Sequence, residues 1–210
     1  MLGDGSLTFR EFAMGEPLPL ARIQDALLEF LRGRDDAVLY GAQAVNAYVP
    51  EPRLSQDVDL LSARAEALAE EIRAQLGKAF GIAVRVREIG AGRGYRVYQV
   101  RKEGSRHLVD VRAVATLPPA QRIGGVLVLL PAELVASKVL AWHTRRGRPK
   151  SWTDRRDIAA LLLVFPELGA SKGPVRQALV AAGASSAVLG TWEEIARQPV
   201  LPEDEDGEFA

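Results

Sequence analysis

Two aspartates separated by one valine, Asp57-Val58-Asp59, carry the most pointed chemistry in the sequence. Alternate residues of a strand face the same side, with Cα atoms roughly 7 Å apart. This spacing turns both carboxylates one way and sends Val58 and Leu60 into the core. At that range the two charges repel by about 2 kcal/mol in an effective dielectric near 20. A divalent cation relieves the conflict, because hard cations take carboxylate oxygens as ligands. A solvated edge strand is the plainer reading of such a pair. A third acid, Asp110, stands in His107-Leu-Val-Asp-Val-Arg-Ala-Val114 between Val109 and Val111. An acid in so apolar a strand is costly unless it is paired or metal-bound. Arg112, its neighbour on the same face, is one candidate partner. If the two strands lie side by side, the three carboxylates converge. Such a trio holds two Mg²⁺ ions (or Mn²⁺) about 4 Å apart, the arrangement for in-line attack on a phosphorus atom.

Residues nearby suit a polyphosphate. Gly41-Ala42 falls between an apolar run and a helical stretch. Glycine allows close approach of the backbone, and a helix start offers free N–H groups and the positive end of the dipole. An ordinary strand-to-helix turn has the same signature. Arg53 and Ser55, just ahead of the acid pair, add a guanidinium and a hydroxyl suited to a triphosphate. Gly90-Ala-Gly-Arg-Gly94 joins two strands and opens no helix, which excludes a dinucleotide fingerprint there.

The elements that must position these residues follow from periodicity. Residues 20–32 space apolar groups at helical intervals. Ala37–Tyr40 reads as a buried strand, followed by a helix from Gly41 that Pro50 and Pro52 end. Asp57–Leu61 alternates as a second strand. Residues 62–79 form a strong helix with Ser62 as candidate N-cap. Ile82–Ile89, Tyr95–Arg101, His107–Val114 and Val126–Leu130 read as further strands. Beyond Pro131 the pattern turns helical, over 131–143, 153–165, 171–183 and 185–197. The chain is thus α/β over residues 1–130 and helical over 131–201. The acidic tail 202–210 reads as disordered. The expected architecture is a mixed sheet of four to five strands with helices against one face, then a helical bundle.

Composition narrows the classes. The chain has 210 residues, 48% of them hydrophobic, enough for a core without a staple. It has no cysteine and two histidines, which excludes disulfide scaffolds, cysteine–zinc sites and a cysteine nucleophile. Basic and acidic residues balance at 27 each, so net charge alone draws no polyanion. No apolar run is long enough for a membrane span, and the start lacks a signal-peptide pattern; a cytoplasmic protein is expected. One basic cluster stands out, Arg145, Arg146, Arg148, Lys150, Arg155 and Arg156 around Trp152. Read as a loop between helices, it is either solvated or a contact for RNA phosphates and bases. Trp142 and Leu161–Leu163 read as core. His143 reads as a helix-end residue.

The ordered set Gly41, Arg53-x-Ser55-x-Asp57-x-Asp59, Asp110, Lys138 and Asp154-x-x-Asp157 resembles the nucleotidyltransferase superfamily of the polymerase-β type, and its AbiEii/AbiGii toxin branch most. The resemblance covers about residues 37–165. It implies a metal-dependent transfer of NMP from an NTP to an acceptor hydroxyl, with release of pyrophosphate. It implies Asp57, Asp59 and Asp110 as metal ligands, with Asp110 also the base for the attacking hydroxyl. Gly41, Ala42, Arg53 and Ser55 would hold the triphosphate, and Lys138 would meet its phosphates. Asp157 and Asp154 would shape the nucleotide or acceptor side, across a cleft from the three acids. Ala42 replaces the family's second Gly or Ser, and Thr153 stands where a base commonly precedes the DxxD.

The branch further implies a toxin acting on tRNA, met through the Arg145–Arg156 basic loop, and a cognate antitoxin. A small-molecule acceptor such as an aminoglycoside, or a protein hydroxyl, stays open. A second class of function is a non-catalytic nucleotide-binding module with the same fold, which the Ala42 and Thr153 departures motivate. A third is a DxD glycosyltransferase, whose chemistry does not call for the Gly41 element.

Overall fold

The computed structural model describes residues 18–102 and 104–202. They fall into two compact units that meet in sequence at Leu130 and Pro131. The acidic tail beyond Pro202 lies outside the described residues.

The first unit is built on a seven-stranded mixed sheet ordered β3-β4-β5-β2-β1-β7-β6. Its strands are β1 (Val38–Tyr40), β2 (Val58–Ser62), β3 (Val84–Ile89), β4 (Gly94–Arg101), β5 (Gly104–Ala113), β6 (Ala120–Ile123) and β7 (Val126–Leu129). The sheet is wider than the four to five strands expected. β6 is the strand that periodicity missed: Ala120-Gln-Arg-Ile follows two prolines, does not alternate, and is fixed by its antiparallel pairing with β7. β2 runs parallel to β5 and antiparallel to β1.

Three helices accompany the sheet: α1 (Leu20–Leu31), α2 (Gly41–Asn46) and α3 (Ala65–Phe80). α1 and α3 pack on each other, and α3 covers β3, β4 and β5. The faces they share carry Ile23, Leu27, Leu31, Leu68, Ile72 and Leu76, all buried against Val97, Val109 and Val111. Each such side chain contributes about 1.5–3 kcal/mol on leaving water. Ser62 does not cap α3. It ends β2, where its hydroxyl donates to the carbonyl of Asp36 at 2.7 Å and accepts from the Arg64 N–H at 3.1 Å. The helix starts three residues later, at Ala65.

The second unit holds α4 (Pro131–Thr144), α5 (Pro149–Val164), a 3₁₀ turn (Pro166–Gly169), α6 (Pro174–Ala181) and α7 (Ser186–Ala196). α5 begins four residues before the expected start, because Pro149 at its first turn is preset for helix and needs no N–H partner. Lys150 therefore joins Arg155 and Arg156 on a helix. Three members of the basic cluster are already engaged. Arg145 donates to Asp154 at 3.0 Å, Arg146 pairs with Glu194 at 3.2 Å, and Arg155 donates to Gln198 at 2.6 Å. Trp142 is half-buried between the Arg146 and Arg155 guanidinium groups, and Leu163 is exposed, so neither belongs to the core as expected. His143 sits in the last turn of α4, its Nδ1 2.8 Å from the Thr191 hydroxyl. Trp192 fills the unit's centre and donates to the Ser171 carbonyl at 3.1 Å.

Lys138 is buried on α4 between two equally buried acids of α5. Its ammonium lies 2.5 Å from Asp157 and 3.5 Å from Asp154. Removing one partner of such a network leaves a charge uncompensated in the interior, at about 3–5 kcal/mol. The Lys138→Met variant is therefore expected to lose about 3–5 kcal/mol of unfolding free energy. Urea denaturation at neutral pH measures this; an unchanged midpoint would show that the pair contributes nothing to the fold.

Candidate active site

The geometry starts from alternation. In β2, Val58 and Leu60 are fully buried and Asp59 between them is not. In β5, Val109 and Val111 are buried and Asp110 between them is not. Burial of the apolar residues thus forces each acid onto the opposite face. The parallel register then places Val58 beside Val109, Asp59 beside Asp110 and Leu60 beside Val111. A slip of one residue would bury both acids and expose the valines, which fixes the register. Asp57, two residues before Asp59, comes to the same side.

Asp110 does not pair with Arg112 as its strand spacing allowed. Its Oδ1 accepts from Arg96 Nε of β4 at 2.7 Å, and His107 Nε2 lies 3.2 Å away. Arg112 lies instead over the Tyr40 ring. His107 was invisible to a period-two reading, which puts it on the face opposite Asp110. The strand is irregular there: Val97 pairs Val109 but Tyr98 pairs His107, so Leu108 is an extra residue. The bulge buries Leu108 and Val109 in succession and swings His107 to the acidic face.

The His107 ring spans two acids. Nε2 also lies 3.2 Å from the Val109 carbonyl, which can only accept, so this nitrogen carries a proton. Nδ1 lies 3.4 Å from Asp57 Oδ2. Ligand atoms of Asp57, His107 and Asp110 all fall within 4.8 Å of one another. The Asp110 hydrogen bond raises the His107 pKa above its ordinary value, burial opposes this, and Asp57 adds to the rise. Burial pushes the Asp110 carboxyl upward, but His107 and Arg96 outweigh it and hold it below the usual carboxylate range.

Asp59 meets the backbone. Gly41 opens α2 at φ +71°, and a Cβ there would fall 2.0 Å from Asp59 Oδ2 and 2.8 Å from Asp59 Cβ. Gly41 is thus the floor on which the Asp59 carboxylate rests. Tyr40, register partner of Asp59, has its hydroxyl pKa pushed up to about 12, by burial first and then by Asp59. Ala42 is buried in the first turn of α2.

The segment leading to Asp57 is pinned from behind. Asn46 donates to the Arg53 carbonyl at 2.7 Å and accepts from its N–H at 3.0 Å. Gln24 of α1 donates to the Ser55 carbonyl at 2.9 Å. The Ser55 hydroxyl donates to the Asp57 carbonyl at 2.8 Å, shaping the turn that presents Asp57. Neither Asn46 nor Gln24 was marked by the sequence, since amides at helix ends carry no pattern of their own. Lys138, Asp154 and Asp157 come together in the helical unit, as the network described above.

The donor set fits a divalent cation. Carboxylate oxygens from Asp57, Asp59 and Asp110 are hard ligands, and an imidazole nitrogen facing Asp57 suits Mn²⁺ better than Mg²⁺. His107 also has the anchoring partner that ligating imidazoles use, a carbonyl and a carboxylate on its other nitrogen. Arg96 supplies positive charge to this face.

Residues 25–209 match the family described as nucleotidyl transferase AbiEii toxin, type IV TA system. No curated protein matches the chain. Among solved structures, the Megavirus polyadenylate synthase superposes with a TM-score of 0.56 at 14% identity, covering 70% of this chain and 32% of that one. The chain thus spans about a third of that enzyme's length. JHP933 from Helicobacter pylori superposes with a TM-score of 0.54 at 14% identity, over 91% of this chain and 92% of that one. These likenesses show a shared nucleotidyltransferase-like α/β fold, and the family match spans nearly the whole chain. The chain belongs to the AbiEii family of nucleotidyl transferase toxins of type IV toxin–antitoxin systems, and it is a nucleotidyltransferase.

Proposed function

We propose that the chain moves an NMP from an NTP to an acceptor hydroxyl at the face formed by Asp57, Asp59 and Asp110, in a metal-dependent reaction. The observation that carries this reading is the register that sets Asp59 beside Asp110, with Asp57 joined to Asp110 through His107. Bound Mg²⁺ or Mn²⁺ would supply charge stabilisation to the attacking and leaving oxygens. Asp57, Asp59 and Asp110 would hold it, with His107 as an additional nitrogen donor. The acceptor oxygen forms a bond to the α-phosphorus while the bond to pyrophosphate breaks. The hydroxyl proton passes to the Asp110 carboxylate, which Arg96 and His107 orient by hydrogen bonds to Oδ1.

The resemblance supports further roles. Gly41 and Ala42 would lie against the triphosphate, with Arg53 and Ser55 beside it. Lys138 would serve the phosphates, and Asp154 and Asp157 the nucleotide or acceptor side. Family membership supports a toxin whose acceptor is tRNA and whose partner is a cognate antitoxin. The cytoplasm is the compartment that reading requires. Among the described residues no helix is long and apolar enough to cross a membrane. Of the basic cluster, Arg148, Lys150 and Arg156 are exposed, beside an exposed Trp152, and would give tRNA a secondary contact.

Incubation with labelled NTPs, Mg²⁺ or Mn²⁺ and total tRNA is expected to label the RNA. Asp57→Ala and Asp110→Asn are each expected to reduce labelling by about 10³-fold, on the scale of losing transition-state charge stabilisation. Equal labelling by wild type and Asp57→Ala would remove these acids from the mechanism. Labelling of an aminoglycoside instead of tRNA would move the reading to a small-molecule acceptor.

Gly41→Ala is expected to act through Asp59. The new Cβ displaces that carboxylate and strains a left-handed backbone, at about 1–3 kcal/mol. Its NMP transfer should fall by at least about 10²-fold, the scale of a 1 Å misplacement of a reacting group. A melt and a kinetic assay on the same sample check both. Full activity in Gly41→Ala would show that the position of Asp59 is immaterial.

A further inference from the structure

The row that carries the acids does not stop at them. Register places Arg87 of β3 opposite Arg96 of β4, Arg96 opposite Asp110, and Asp110 beside Asp59. One step along, Arg85 of β3 stands opposite Tyr98 of β4, and Tyr98 opposite His107. All of these side chains share a face, because the intervening Val86, Val97 and Val109 turn the other way. That other face is the one α3 covers: Tyr95, in the Val97 row, meets Glu66 of α3. Arg85, Arg87 and Arg112 are exposed on the acidic face.

The chemistry of this face is specific. The Arg85 guanidinium lies 5.9 Å from the Tyr98 ring centroid, and the Tyr98 ring is 5.3 Å from that of His107. The Arg85 guanidinium over Tyr98, and the His107 ring tilted at 39° beside it, are planar groups against which a base can stack. Arg96 is paired with Asp110, and the like charge of Arg87 directly opposite it is unfavourable on a sheet unless a further anion comes beside it. At about 4.8 Å per strand, Arg87 lies roughly 10 Å from Asp110 across the row. A chain laid along that row would have its end at the acids and its body on arginines and a tyrosine. A small-molecule acceptor has no use for such a track.

We infer that the open face of β3, β4 and β5 seats the acceptor as a single-stranded polynucleotide, with phosphates on Arg85 and Arg87, a base on Tyr98, and its terminal hydroxyl directed to Asp110 and Asp59. This deepens the reading under Proposed function and rests on it for the role of the acids. It places the strand's main contacts on the sheet, not on the Arg148–Arg156 stretch of α5.

Fluorescence anisotropy of a labelled single-stranded oligoribonucleotide and its deoxy counterpart, in EDTA without NTP, tests the surface separately from catalysis. The Arg85→Ala/Arg87→Ala double variant is expected to make the plot of log K against log salt shallower by about 1.4, at about 0.7 per phosphate contact on single strands. Tyr98→Ala is expected to weaken binding about tenfold and Tyr98→Phe to leave it unchanged, since a phenyl ring still stacks. Melting temperatures of these surface variants report their folding, and Arg148→Ala/Arg156→Ala is the comparison pair. Wild-type slope and affinity in the sheet variants, or losses confined to the Arg148/Arg156 pair, would overturn the inference even if NMP transfer to RNA is observed. Losses in the sheet variants with no transfer to any acceptor would uphold the surface and remove the catalytic reading. Weakening by Arg85→Ala/Arg87→Ala without any effect of Tyr98→Ala would reduce the face to general polyanion attraction and overturn the base contact.

Discussion

Valines and aspartates alternate in β2 and β5 such that the core can be satisfied in one way only. Val58, Leu60, Val109 and Val111 go inward, and Asp59 and Asp110 are left side by side on the outer face. The hydrophobic effect thereby does the placing, and the charged groups follow. At roughly 5–7 Å and an effective dielectric near 20, each like-charge pair of carboxylates costs about 2–3 kcal/mol. The protein offsets part of that through Arg96 on one acid and His107 between two. The repulsion that remains is what a divalent cation at the proposed site would relieve.

Everything around the trio serves its position. Gly41 lets the Asp59 carboxylate lie flat against the start of α2. Asn46, Gln24 and Ser55 hold the approach to Asp57 through backbone groups, so Asp57 is fixed by its turn and not by its own side chain. The β5 bulge brings one imidazole to the face that the three carboxylates occupy. In the helical unit a comparable logic holds Lys138 between Asp154 and Asp157, where burial makes the pairing obligatory.

Much of this was legible from residue order. The alternation around Asp59 and Asp110 marked both strands, and Gly41 marked the strand-to-helix turn beside them. The strands that resisted were those without a pattern: Ala120–Ile123 exists because β7 offers it an edge, which no local signal encodes. His107 was hidden because a bulge breaks the period on which strand reading relies, and two consecutive apolar residues, Leu108-Val109, were its one trace. Arg96 was hidden because its partner lies on another strand. The split of the basic cluster was readable, since a proline four residues ahead of the expected helix start belongs at a first turn. Residue order does not encode the burial of Lys138, which only its pairing with Asp157 explains.

The claim at the centre is that the acids of β2 and β5 share a divalent cation. A crystal of the full chain grown with Mn²⁺ and a non-hydrolysable NTP, measured at an X-ray energy where manganese scatters anomalously, reads this directly. The account predicts an anomalous peak in contact with carboxylate oxygens of Asp57, Asp59 and Asp110, with the α-phosphate beside it. A nucleotide bound with its manganese elsewhere, and no peak at these carboxylates, would contradict it.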